Sequence, residues 1–305
     1  MKIFPLVMVL VGMQAVEACD LCSVYSASQA EGSGKGFYGG IAEQFTYFGT
    51  LRAMNQDVGN DERSYITSSL TQVFAGYNFN SRFGLQINLP VINREYGVTG
   101  KHGSETGIGD VSVIANVLLY QKISENFTFN WTALGGLKLP TGNTDWLGRP
   151  DFAEGIGGHD LTFGSGSVDG LIGTGFYARW KRAFLGANTQ YSARTEGDHG
   201  YQFANDWTWA GGPGVFLLLN HKCTLTLQAA VSGESKGADN SPEGKALDSA
   251  ETIVYLGPQI AFTWGDRLSA NIGADLPVSV ETPRASDDPQ LVPGYRIHAA
   301  VTWRF

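Results

Sequence analysis

Two cysteines stand three positions apart near the start of the chain, in Cys19-Asp20-Leu21-Cys22. That spacing suits a redox pair, half of a metal site or a disulfide, because two thiols so close can meet each other or share one ion. Covalent haem attachment needs a histidine directly after the second cysteine; Ser23 stands there, which excludes it. Zinc needs two more ligands, and no second cysteine pair exists in the chain. Cys19 also follows Val16-Glu17-Ala18, which approximates a lipoprotein cleavage box. A structural pair, a lipidated Cys19, and metal or redox work at Cys19 and Cys22 therefore stand side by side. Cys223, in a predicted short turn, adds the option of a disulfide to this leader.

Other reactive types are sparse. His102, His159 and His199 fall in predicted loops beside Asp151, Glu154, Asp160 and Asp198, which reads as solvated loop polarity before it reads as a metal site. His298 is the one histidine in a predicted strand. Hydrolysis needs an activated serine within reach of a histidine that a third group orients. No serine motif of that kind accompanies His298, so the chain reads as a non-enzyme with no cofactor. A net charge of −8 argues against nucleic acid as a partner.

The elements that would position the polar residues are strands. A period of two runs through Phe83, Leu85, Ile87, Leu89 and Val91 against Gly84, Gln86 and Asn88. It recurs in Val111 to Leu119, Phe127 to Leu139, Leu225 to Val231 and Leu268 to Val278. Such alternation marks a strand with one apolar and one polar face. The strands predicted in this way cover roughly 37–48, 64–79, 83–96, 108–121, 127–139, 167–181, 184–195, 205–219, 223–233, 251–264, 268–281 and 294–305. Short turns alternate with long loops at 49–63, 97–107, 140–166, 196–204, 234–250 and 282–293, and 238–248 reads as a mobile loop. An even number of strands with this asymmetry predicts an all-β transmembrane antiparallel β-barrel of about twelve strands, with short periplasmic turns and long extracellular loops. Tyr47, Phe48, Trp131, Trp180, Trp207, Trp209, Trp264 and Trp303 near strand ends fit aromatic girdles.

The two ends agree with that reading. Lys2, the apolar run Ile3 to Met13 and small residues before position 19 make 1–18 a secretory signal peptide, too short to span a bilayer. Residues 19–35 read as a periplasmic segment and 36–305 as the barrel, with both barrel ends periplasmic. The chain closes on Tyr295-Arg296-Ile297-His298-Ala299-Ala300-Val301-Thr302-Trp303-Arg304-Phe305. That alternating strand with a terminal aromatic resembles the signal read by the barrel-assembly machinery of the bacterial outer membrane.

Parity then sorts the chemistry. The apolar set faces lipid, where a charge at mid-depth costs about 2–4 kcal/mol. The polar set faces the lumen: Asp110, Asn116, Asn130, Lys138, Asp169, Arg179, Asn271, Asp275, Glu281, Arg296, His298 and Arg304. These either form ion pairs across the interior, or Lys138, Arg179, Arg296 and Arg304 face the acids and set a field across a pore. Trp146, Phe152 and Phe163 in the longest loop are candidates for an inward gate with an aromatic surface.

Two short motifs carry a family resemblance. Gly107-Ile108-Gly109-Asp110 opens a strand, and Gly136-Leu137-Lys138-Leu139-Pro140-Thr141-Gly142 closes another. Together they resemble the outer-membrane family named after the meta-pathway of phenol degradation. The resemblance implies an outer-membrane barrel that acts as a transporter, of a group often found with pathways for aromatic compounds; the leader cysteines are not part of that pattern. The combined expectation is a barrel for passive passage of small, hydrophobic or aromatic molecules, in contact with outer-membrane lipid. The competing expectation is a sleeve or anchor for a periplasmic partner docked through Cys19 and Cys22.

Overall fold

The computed structural model describes residues 35–284 and 286–305. The predicted signal peptide and the Cys19–Cys22 pair lie outside the described residues. Sixteen strands follow one another: β1 (Gly36–Ala53), β2 (Gln56–Val58), β3 (Tyr65–Asn78), β4 (Phe83–Val98), β5 (Lys101–Ile108), β6 (Ser112–Ile123), β7 (Phe127–Lys138), β8 (Asp169–Trp180), β9 (Ala183–Ala193), β10 (Asp206–Leu219), β11 (Cys223–Lys236), β12 (Asp239–Ser241), β13 (Gly244–Ala246), β14 (Glu251–Trp264), β15 (Leu268–Glu281) and β16 (Gln290–Arg304).

Twelve of these close a barrel in simple sequence order: β1, β3, β4, β6 to β11 and β14 to β16. Every neighbouring pair is antiparallel, and β16 returns to β1, from Tyr38 opposite Arg304 to Arg52 opposite Gln290. Closure leaves no unpaired strand edge inside a membrane, where no water could satisfy one. Among the described residues no helix is long and apolar enough to cross a bilayer, so the strands do the crossing.

The alternation has the sense that a lipid-embedded wall requires. Along β4, Ile87 is 50% exposed and its neighbour Asn88 is 0% exposed. The exposed large apolar side chains point outward around the whole circumference, among them Ile41, Val73, Leu89, Ile172, Leu185, Leu227, Ile260, Leu276 and Val301. Inward-pointing Gln44, Ser68, Gln86, Asn130, Gln190, Thr226, Gln228 and Thr302 are buried within the wall. Trp180, Trp207, Trp264 and Trp303 point outward at strand ends. Phe48 does not join them: it lies opposite Ile66 on the inward side and packs against an internal apolar cluster. A register shift in β1 at Tyr47/Phe48 marks where the wall bends.

The connections divide between the rims. Tight turns join β3 to β4, β8 to β9 and β14 to β15 at one rim, next to the start of β1 and the end of β16. The other rim carries the long loops, and three of them hold strands where irregular loop was expected. The first is β2, which folds back on the end of β1 from Leu51 opposite Val58 to Ala53 opposite Gln56. Residues 101–108 pair with the far half of β4, so that β4 passes from β6 (Phe83–Asn88) to β5 (Val91–Val98). Residues 238–248 contain the β12–β13 hairpin.

Candidate functional site

Between β5 and β6 the ladder along β4 is interrupted at Gly109-Asp110-Val111, and Asp110 turns into the lumen. Its carboxylate accepts the backbone N–H groups of Thr141 (3.1 Å), Gly142 (2.9 Å) and Ser165 (2.8 Å). These three amides belong to the two feet of the long loop between β7 and β8. At the same place Gly142 crosses Gly164 so closely that a Cβ on Gly142 would meet the Gly164 Cα at 2.7 Å. The Gly-Asp and Pro-Thr-Gly motifs are thus the two halves of one clasp. A carboxylate suits it because it accepts from several donors at once.

The clasp opens into a buried chain of alternating charge. Lys138 Nζ lies 2.9 Å from Asp110 and 2.8 Å from Asp169. Arg194 reaches Asp169 at 3.1 Å and grips Asp206 through Nε at 2.9 Å. Ser167 and the Thr195 amide occupy the other Asp169 oxygen. The chain binds the ends of β7, β8, β9 and β10 at the long-loop rim. Removing one member would strand a charge in a region that water barely reaches, which is the costly way to break a buried pair.

Two further clusters continue round the interior. Lys236 pairs with Asp239 at 3.0 Å, and Asp239 also accepts the Tyr201 hydroxyl and the Ala204 amide, each at 2.7 Å. Burial, with the Asp239 carboxylate beside it, raises the Tyr201 hydroxyl above the ordinary tyrosine range, which keeps it a donor. Arg296 pairs with Asp275 at 3.0 Å, donates to Ser232 at 2.7 Å and stacks on Tyr255 at 4.0 Å. His298 Nδ1 lies 3.4 Å from the same Asp275.

The loop itself lies inside the wall. Ile156 and Leu161 pack with Leu51, Ile66, Tyr96 and Leu291, all on inward faces of the barrel. Tyr96 stands edge-on to both Trp146 (5.7 Å) and Phe152 (4.8 Å). Lys101 caps Phe152 and Arg149 caps Trp146, with the cations 4.2 and 4.6 Å from the ring centres. Deeper in, Phe163 packs with Leu70 and Ile92, while Arg94 donates to the Thr162 carbonyl at 2.6 Å. Smaller inward clusters such as Tyr177, Phe184 and Phe216 interrupt the polar faces elsewhere, and an apolar, aromatic lining thus sits at the long-loop mouth of the lumen. Over it lies an open cavity of about 1100 Å³, bounded by Arg149, Asp151, Glu154, His159, Lys245 and Asp248 among others.

Of the residues that parity placed in the lumen, Asp110, Lys138 and Asp169 meet in one network, and Asp275, Arg296 and His298 in another. Asn116 is half-buried, with its amide nitrogen lacking a hydrogen-bond partner. Arg179 and Arg304 stand at the short-turn rim, away from these acids: Arg179 donates to Thr128 and to the Lys181 carbonyl, and Arg304 lies opposite Tyr38. Glu281 is exposed at the end of β15. The four cations therefore do not form one row facing the acids. Arg94, Arg194, Asp206, Lys236 and Asp239 were missed by the sequence reading. Extending the inward parity of Asn88, Ser192 and Thr208 by a few residues would have found the first three.

A closed antiparallel wall, apolar outside and mostly polar inside, with a long loop tucked into its mouth, defines a transmembrane β-barrel of the outer-membrane type. More particularly, the chain belongs to the family described as "Putative MetA-pathway of phenol degradation", whose profile matches residues 54–285. Among solved structures it is similar to an outer-membrane channel from Pseudomonas putida F1. The two share 12% identity and a TM-score of 0.64, over 95% of this chain and 100% of that one. It is also similar to the transport unit of the autotransporter AIDA-I from Escherichia coli, at 12% identity and a TM-score of 0.46, over 88% of this chain and 90% of that one. None of the curated proteins compared with the chain matches it.

Proposed function

We propose that this barrel passes small hydrophobic or aromatic molecules across the bacterial outer membrane by passive diffusion, with the 139–168 loop as its gate. The observation that carries the reading is the aromatic cluster between loop and wall. Trp146 and Phe152 on the loop meet Tyr96 on the wall at the long-loop mouth, and further inward aromatic clusters, Tyr38 with Phe74 and Tyr177 with Phe184 and Phe216, lie deeper in the barrel. A planar apolar solute gains by stacking there, whereas a small polar solute gains nothing. In this reading the short-turn rim and both barrel ends are periplasmic, Phe305 serves the barrel-assembly machinery, and the long loops face outward.

The test is single-channel conductance in planar bilayers, with aromatic solutes as blockers. The wild type should open discretely and be occluded by them. Replacing Trp146 and Phe152 together by alanine should weaken occlusion by aromatic solutes about tenfold, at about 1.4 kcal/mol for the two ring contacts. Passage of small polar solutes should stay unchanged. Unaltered aromatic block would remove the gate, and a barrel that inserts but never conducts would remove the channel.

A further inference from the structure

One carboxyl group is on the wrong side of the wall. Glu43 in β1 lies in the outward set with Phe37, Ile41, Phe45 and Tyr47, while Ala42 and Gln44 beside it are buried inward. It stands six residues above Phe37 and four below Tyr47, which on a tilted strand is about 15 and about 10 Å of height across the membrane. Those two aromatics mark the borders of the apolar band here: Phe37 packs on Tyr77, and Tyr47 stacks on Tyr295 at 5.5 Å. Between those borders, Glu43 is the one acidic or basic side chain that points outward among the described residues. Its two oxygens accept the hydroxyls of Ser69 and Thr71, which point outward from β3. One row further up β4, Asn93 donates to Thr106 at 2.6 Å, again on the outer face.

A charge facing hydrocarbon is unfavourable, and polar groups at this depth are normally covered by protein. We propose that the β1–β3 face is an intramembrane contact between two copies of this chain, with Glu43, Ser69 and Thr71 at its centre. Each hydroxyl has one hydrogen, given to the Glu43 of its own copy, so the patch complements itself by exchange. Across a two-fold axis each Thr71 hydroxyl turns from its own carboxylate to the facing one, while Ser69 stays with its own. Two copies in one membrane share an axis along the membrane normal, so residues at equal height meet. Glu43 and Thr71 are direct ladder partners on adjacent strands. In a tilted wall they differ in height by only about 3 Å. An axis passing between β1 and β3 sets the Glu43 of each copy against the Thr71 hydroxyl of the other and keeps the two carboxyls apart. The outward residues of the row two below, Gly39 and Ala75, are small and let the walls approach.

The test is thiol cross-linking in native outer membranes, with the full chain and its own cysteines changed to serine. Ile41→Cys lies beside Glu43 on the proposed face; Leu185→Cys in β9 lies on the far side of the barrel. A short bis-maleimide should give a band of two copies from Ile41→Cys and none from Leu185→Cys. Adding Glu43→Leu, or Ser69→Ala with Thr71→Val, should reduce that band at least tenfold. Heat-modifiable migration on gels should show the barrel still folded, since each change makes the outer face more apolar. Equal cross-linking from both cysteines, no cross-linked band, a band insensitive to Glu43→Leu, or a product with a different protein would each overturn the proposal.

Discussion

Replacing Asp110 by alanine should free the long loop while leaving the barrel closed. The carboxylate holds three backbone amides from the two feet of the loop, together with the Ser165 hydroxyl and Lys138. Stripping a partner from a buried pair costs about 3–5 kcal/mol. Lys138 keeps Asp169 at 2.8 Å, and the freed amides recover water once the loop lifts, so the lower end of that range applies. About 3 kcal/mol corresponds to about a hundredfold change in the ratio of seated to released loop. Added protease should then cut within residues 139–168 about a hundred times faster than in the wild type, with heat-modifiable migration of the uncut barrel unchanged. Conductance should rise in parallel. Asp110→Asn, which keeps one acceptor oxygen, should fall between. Cleavage and conductance equal to wild type would refute the clasp. Melting of the whole barrel would show that the charge chain supports the wall and not the loop.

The other predictions address neighbouring groups. Arg296→Leu should leave Asp275 with only His298 and lower barrel stability in vesicles by about 3 kcal/mol, read from urea unfolding, and adding Asp275→Asn should recover most of the loss. Asp248, in the loop after β13, has its carboxyl pushed upward by burial, and the Asp160 and Asp151 charges raise it further while His159 opposes them. The folded loop therefore holds this proton more tightly than the unfolded chain does. Loop protection should be full below the ordinary aspartate range and fall as pH rises through it to the raised value, as seen by hydrogen exchange. Asp248→Asn should flatten that dependence.

The wall was legible because lipid enforces one rule on every strand: alternate, with the apolar residue outward. Beyond the band that rule lapses. In β5, Lys101 to Ile108 has water on both faces, so its Gly, Ser, Thr and Glu residues show no hydrophobic period and read as loop. The β12–β13 hairpin escaped for the same reason. Trp146, Phe152 and Phe163 stood out as aromatics in a polar loop, yet nothing in their spacing indicates that Ile156 and Leu161 are their companions. A plug meets the inner faces of several strands at once, and such contacts have no single period. Glu43 stayed hidden because a lone polar residue in an alternating run looks like a boundary slip. Only the ladder, with Thr71 opposite, shows that it lies within the band.

The β1–β16 seam has a consequence for how the molecule is made. Every other wall contact joins strands near in sequence, so each hairpin can form soon after its residues emerge. The seam joins Tyr38 to Arg304, near opposite ends of the chain, and its loop-closure entropy must be met last. Until then the nascent sheet carries two bare edges, each a template for pairing with the wrong chain. The final strand is therefore a kinetic gatekeeper. Damage to it should slow assembly and promote aggregation more than it weakens the finished barrel.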